Sequence, residues 1–415
     1  MMNATTSIEI LAREVMERCD ALGLCSEDPE CLARTFLSPP MHAVHQLVRG
    51  WMEEASLDVH VDAVGNIVGQ RPGEGTFLIG SHLDTVVNAG LYDGPLGVMI
   101  GIAAAKLLAT EELPFGLAIA GFSEEEGVRF GVPYLGSMAI AGNFNPALLG
   151  IQNASEETIR DAIVAFGLDP AEIPQAEIRN LIGYAEVHIE QGPVLEALRE
   201  PLAAVTSIIG QERLLVAYEG HAGHAGTTPM NRRQDASIAA ARLILATQEY
   251  ALSVEDLRAT IGAVRLNPNV RNVIAGRAEL SLDIRHADDP VRRRAASAIL
   301  AKAREIAAKE RIAFKVISHE SQLSVPADEG LTMLMERALD DLGYSTMQLV
   351  SGAGHDAVAM ARVCPWTMLF VRSPGGISHH PSESVSQSDV AHAIAVLAQF
   401  LRRLAATHSS PGAQA

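Results

Sequence analysis

Aromatic side chains are scarce in this chain of 415 residues: 2 Trp, 6 Tyr and 10 Phe. So few rings leave little from which to build a base-stacking surface. Basic residues are also in short supply, 32 against 50 acidic ones, for a formal net charge of −18. A chain this acidic repels phosphate backbones, so nucleic acid is not expected as a partner. Nowhere does an uninterrupted apolar run reach the roughly 18 residues of a membrane span, so no membrane partner is expected either. The opening, MMNATTSIEILAREVMERCD, carries acids early and lacks the basic-then-apolar pattern of an export signal. Cysteines number only 4. Cys19, Cys25 and Cys31 stand six apart, a spacing that fits neither a zinc knuckle nor a redox pair, and Cys364 is remote from them. Unpaired thiols in such a chain point to the reducing cytoplasm.

What is present is ordinary globular composition, 48% hydrophobic and 20% charged, which excludes global disorder and collagen-like structure. The length predicts two or three domains. Up to about residue 200, short apolar runs alternate with helical patterns. Phe77 to Gly80, Leu117 to Phe122 and Ala185 to Ile189 read as buried strands, and Val98 to Ala109 as a helix apolar nearly all round. Strand and helix in alternation predict an α/β fold with a mostly parallel central sheet flanked by helices.

From about Arg213 the texture changes. Strands are predicted at Leu214 to Tyr218, Ala259 to Leu266, Ala278 to Ile284 and Arg311 to Ile317, with helices at Asp235 to Tyr250 and Pro290 to Ala308. That order is βαββαβ, a self-contained α+β unit. Helix Leu331 to Leu342, strand Met368 to Val371 and helix Val390 to Leu404 then resume the first pattern. The expected division is therefore a catalytic domain of residues 1–211 and 328–415, interrupted by an inserted domain of 212–327. The tail from His408 (HSSPGAQA) is expected to fray.

Five loops after apolar segments carry potential ligands. Gly80-Ser81-His82-Leu83-Asp84-Thr85 follows a strand, where open α/β sheets bind ligands. His82 and Asp84 share a face in extended chain, which suits a metal-bound imidazole held by a carboxylate. Asp93, in Tyr92-Asp93-Gly94-Pro95-Leu96-Gly97, reads as a helix N-cap or a ligand. In Ser123-Glu124-Glu125-Glu126-Gly127, three adjacent acids repel one another unless a cation neutralises them. His188 lies in His188-Ile189-Glu190-Gln191-Gly192-Pro193, and His379 in Ser378-His379-His380-Pro381-Ser382-Glu383. Each alone has an ordinary structural reading. Together, His82, Asp93, Glu126, His188 and His379 are about the inventory that two divalent cations need, one carboxylate bridging them.

The set GSHLDT, YDGPLG, SEEEGVRF, HIEQGP and GISHHPSE resembles the dinuclear-metal M20-type amidohydrolases. More narrowly it is similar to the branch of N-carbamoyl-L-amino-acid hydrolases, allantoate amidohydrolases and β-ureidopropionases, from about residue 9 to residue 404. The resemblance implies an inserted domain acting as lid and dimerisation surface, hence a homodimer. It implies that His82 and His188 bind one metal, Glu126 and His379 the other, and that Asp93 bridges. Glu125 becomes the general base and Asp84 the support behind His82, with His380 an alternative to His379. The segments GHAGHAGTTPM, NPNVRNVIAG and LDIRH match the family's substrate-recognition segments, which implies substrate contacts for His224, Asn272 and Arg285; Gln191, in HIEQGP, is expected on the substrate as well. Arg285 suits a carboxylate clamp, and His224 and Asn272 suit an oxyanion. His355 and Asp356, in GAGHDA, carry no assigned role.

The expected activity is metal-dependent hydrolysis of the C–N bond of a small ureido acid, with two ions of zinc, manganese, cobalt or nickel. An aminoacylase or dipeptidase with the same metal core is the alternative. His188 argues against it, since in the resembling peptidases an acid typically stands there. A binding protein without catalysis is disfavoured because Glu125 and all five ligands are present.

Overall fold

The computed structural model describes residues 4–408. The tail expected to fray, 409–415, lies outside the described residues. The chain forms two compact units, Met1–Thr206 with Ala327–Ala415, and Ser207–Pro326.

The first unit is built on a sheet whose centre is parallel. Strands Gly116–Phe122, Thr76–His82, Leu181–Ile189 and Trp366–Val371 lie side by side in that order and all run the same way. Antiparallel strands flank them: Ile67–Arg71 and Asp58–Val61 on one side, Leu202–Ile208 on the other. Gly116–Phe122 and Trp366–Val371 are buried at every position, as strands covered on both faces must be. Helix Pro95–Leu107 is buried along most of its length. Gly97 lets it lie against the sheet, since a Cβ there would sit 2.0 Å from the Val187 carbonyl oxygen. Helices Ala4–Gly23 and Gln387–His408 pack against it.

The register sets the level of the loops. His82 pairs with Phe122, and His188 with Phe370. His82, Glu124 to Glu126, His188 and the segment after Val371 therefore emerge at one carboxyl-terminal edge, where open α/β sheets bind ligands.

The second unit has the βαββαβ order. Its antiparallel sheet runs Ala313–Gln322, Gly210–Glu219, Arg277–His286, Arg258–Asn267. Ala278, Leu280, Leu282 and Ile284 alternate into the core and pack with helices Ala236–Leu252 and Asp289–Glu310. Asp235 and Asp288 cap those helices through side-chain bonds to the Ser237 and Val291 N–H groups. The first strand starts at Gly210, four residues before the predicted Leu214. There the fully buried Arg292 guanidinium fills the space a side chain at Gly210 would take, and its Nε donates to Glu212 Oε1 at 3.1 Å. Beyond Glu219, a two-residue ribbon pairs Gly223–His224 with Val273–Ile274. No helix among the described residues is long and apolar enough to cross a membrane.

Candidate metal centre

His82 ends its strand with the ring buried. Its Nδ1 lies 3.0 Å from the Asp84 carbonyl oxygen and its Nε2 3.5 Å from Asp93 Oδ1. His188 repeats the arrangement, with Nδ1 2.9 Å from the Ile189 carbonyl oxygen and Nε2 3.1 Å from Asp93 Oδ1. A ring N–H donated to a carbonyl at Nδ1 leaves the lone pair on Nε2, the atom a metal would take. On the other side, His379 Nε2 lies 3.2 Å from Asp93 Oδ2 and 3.2 Å from Glu126 Oε1. Asp93 thus turns one oxygen to His82 and His188 and the other to His379, whose Nε2 also meets Glu126. Potential ligand atoms lie within 4.8 Å of one another in each of the sets His82–Asp93–His188, Asp93–Glu126–His379 and His82–Glu125–Glu126. Imidazole nitrogens with carboxylate oxygens, mostly buried, fit divalent cations of the zinc or manganese kind.

Of the two readings open for Asp93, capping is not what the structure shows. Gly94, at φ 87°, occupies the N-cap of helix Pro95–Leu107 and no side chain caps it. A Cβ at Gly94 would lie 2.5 Å from the His82 ring, so glycine lets the helix start press against that histidine. Asp93 Oδ2 also accepts from Ser378 Oγ at 2.6 Å and Gln191 Nε2 at 2.7 Å. Gln191, expected on the substrate, has its amide nitrogen on this carboxylate.

The three glutamates diverge. Glu124 is fully buried and accepts the Gly127 N–H. Asp84 accepts the backbone N–H groups of Glu125 and Glu126 at 3.0 and 3.1 Å, one on each oxygen, while its Oδ1 stays 3.4 Å from His82 Nδ1. Its contacts therefore reach both the His82 ring and the backbone of the two acids. Burial pushes the Glu125 carboxyl well above its usual range; Glu126, Asp356 and Asp84 add to this and His82 opposes it. Burial works the same way on Asp93, but bonds from His188, His379 and His82 prevail and hold it well below the usual range. Hydrogen bonds to Asp93 and Glu126 push His379 up to about 10.

His380 is turned to its own loop, Nδ1 accepting the Ser382 N–H at 3.1 Å. His355 is buried beside His188, ring centroids 4.5 Å apart, with Nε2 2.7 Å from Ser351 Oγ. Asp356 is fully buried next to it. Three residues were given no role of their own in the sequence. Glu186 forms a further close set with His188 and His355 and accepts from the Tyr184 hydroxyl at 3.0 Å; its signal was the i, i+2 spacing to His188 on one strand. Ser378 and Glu383 both bond to the Asp93 loop.

The insert's residues separate into two places. His224 and Asn272 are exposed neighbours on the ribbon, joined by an Ala225 N–H bond to the Asn272 carbonyl at 2.9 Å. Arg285 stands at the far end of strand Arg277–His286, about 25 Å along it from Arg277 at the usual rise per residue. Its guanidinium grips Asp283 with two bonds, Nε to Oδ1 at 2.7 Å and Nη2 to Oδ2 at 2.9 Å.

The profile of Peptidase family M20/M25/M40 matches residues 78–403. The allantoate deiminase of Arabidopsis thaliana is 36% identical, the alignment covering 94% of this chain and 82% of that one. The N-carbamoyl-L-amino acid amidohydrolase of Geobacillus stearothermophilus is 35% identical over 95% of this chain and 99% of its own. A crystal structure of an amidase of the hydantoinase/carbamoylase family from Burkholderia multivorans superposes with a TM-score of 0.87 at 30% identity, over 94% of this chain and 97% of that one. The chain belongs to the M20/M25/M40 family, in its hydantoinase/carbamoylase branch. It is an amidohydrolase of that type.

Proposed function

We propose that the protein hydrolyses the C–N bond of a small ureido acid, an N-carbamoyl-L-amino acid or allantoate, with two divalent cations in the centre. The observation that carries this is Asp93, whose two oxygens face two separate donor sets beside Glu125. His82, His188 and Asp93 would hold one ion, and Glu126, His379 and Asp93 the other, from among zinc, manganese, cobalt and nickel. Cations bound there supply a water of lowered pKa and polarise a carbonyl oxygen. Glu125 takes the proton of the attacking water and passes it to the leaving nitrogen. A carboxyl raised by burial is suited to holding that proton between the two steps. Asp84 keeps Glu125 in place through its backbone. His224 and Asn272 donate to the carbamoyl oxygen as charge builds on it, and Arg285 binds the substrate carboxylate. A carbamoyl amino acid would yield ammonia, carbon dioxide and the amino acid.

The two locations in the insert support a homodimer in which the copies share their sites. A small ureido acid is far shorter than strand Arg277–His286. It can meet Arg285 at one end of the strand or His224 and Asn272 beyond the other, but not both in one copy. We propose that His224 and Asn272 complete the partner's site. The cytoplasm is the compartment proposed, on the free cysteines.

Ammonia release from allantoate, N-carbamoyl-L-amino acids and N-carbamoyl-β-alanine, with a dipeptide control, tests the reading. Release from a ureido acid and none of the dipeptide cleaved is expected. Dipeptide cleavage without ammonia from any ureido acid would overturn it in favour of a peptidase.

A further inference from the structure

The two halves of the centre are mounted differently. His82 and His188 belong to adjoining strands and are almost completely buried. His379 sits in a loop at φ 56°, with its side chain 49% exposed. A sheet holds the first pair in place. The second half needs another restraint, and the loop provides one four residues on.

Residues His380 to Glu383 form a tight turn, closed by the Glu383 N–H on the His380 carbonyl at 3.0 Å, with Pro381 at its second position. The turn sends the Glu383 side chain, 5% exposed, back to the Asp93 loop. There Oε1 accepts two successive backbone N–H groups, Tyr92 at 2.7 Å and Asp93 at 3.0 Å. Gly90 makes room for it, since a Cβ at Gly90 would lie 2.5 Å from that same oxygen. One carboxylate oxygen thus joins the loop carrying His379 to the main chain of Asp93. Without that oxygen two buried N–H groups would be left unpaired, which is costly.

We propose that Glu383 is a positioning residue that locks the His379 loop to Asp93, and that the Glu126–His379 half of the centre depends on it while the His82–His188 half does not. This rests on the two-cation reading above. Glu383 touches no reacting atom; its effect passes through the Asp93 backbone and the His379 loop.

The test is metal binding, independent of turnover. Chelated protein is titrated with Mn²⁺ and with Zn²⁺, and bound metal per chain is counted after dialysis. Wild type should bind two ions. Glu383→Gln keeps an acceptor oxygen in the same place and should still bind two. Glu383→Ala should keep the first and bind the second roughly 10- to 100-fold more weakly, as loss of an outer contact to a metal ligand does. Gly90→Ala, which crowds the carboxyl group without removing it, should show the same selective loss if Glu383→Ala does not fold. Two ions bound as tightly by Glu383→Ala as by wild type would overturn the proposal. So would Glu383→Gln losing the second ion as Glu383→Ala does, since charge rather than the tether would then matter. Fewer than two ions on wild type would instead sink the two-cation reading itself.

Discussion

Arg285→Ala is the most informative single substitution for substrate recognition. In the structure the guanidinium is part-buried and already committed to Asp283 through two bonds of 2.7 and 2.9 Å. Removing one partner of a buried, hydrogen-bonded charge pair costs about 2–5 kcal/mol. Arg285 is 30% exposed, and a substrate carboxylate has to share it with Asp283. Both facts favour the lower part of that range, about 2–3 kcal/mol, or a fall in kcat/KM of roughly 30- to 150-fold. Arg285→Lys should be damaging too, because an ammonium cannot serve two carboxylates with a planar fork. Metal content should not change. The assay is a four-way cycle: a ureido acid and its uncharged amide, each with wild type and Arg285→Ala. The amide should be a poor substrate for wild type and nearly indifferent to the mutation. Equal loss on both substrates would refute the reasoning, and would make the Asp283–Arg285 pair a brace of the strand.

Other consequences are equally direct. Glu125→Gln should keep its metal and lose roughly 10²- to 10⁴-fold in kcat; if Glu126→Gln kills turnover while Glu125→Gln is intact, the roles are reversed. Exhaustive chelation should abolish ammonia release and Mn²⁺, Co²⁺ or Zn²⁺ should restore it, less readily at acid pH because ligation needs deprotonated groups; full activity in metal-free protein rules this out. Light scattering should find a dimer. Mixing inactive Glu125→Gln with inactive His224→Ala should regain activity, since each hybrid dimer has one site with both residues intact; no recovery after subunit exchange would mean that each copy works alone.

The parallel core was legible because its strands are continuous apolar runs, and the segments carrying His82, Glu125 with Glu126, and His188 because they lie at the ends of such runs. Helices Ala4–Gly23 and Met41–Glu54 and the strands Asp58–Val61, Ile67–Arg71 and Leu202–Ile208 went unread. The helices do carry a helical period, Val44, Val48 and Met52 of the second falling four apart on its buried face, but they lie outside the strand–helix alternation that drew the reading; the flanking strands are short or lack a distinctive boundary. Within the site, residue types were readable but orientations were not. That Gln191 turns its amide to Asp93, that Asp84 holds the Glu125 and Glu126 backbone, and that Glu383 reaches the Asp93 loop are bonds across long stretches of chain. No local period encodes them. Asn272 and Arg285 looked close in sequence, yet nearly the full length of a strand separates them.

The short pairing of Ser207 and Ile208 with Pro326 and Val325 has a consequence for how the protein can be rebuilt. The chain leaves for the insert and returns from it on neighbouring antiparallel strands, with paired Cα atoms only about 5 Å apart. That is the stump of a hairpin, which a two-residue turn such as Asn-Gly could close. The insert is therefore attached as a cassette at a single hairpin. It can be exchanged for that of a relative while every residue of the Asp93 cluster stays on its original scaffold. Chimaeras joined at this point would move His224, Asn272 and Arg285 together and leave His82, Asp93, Glu126, His188 and His379 where they are.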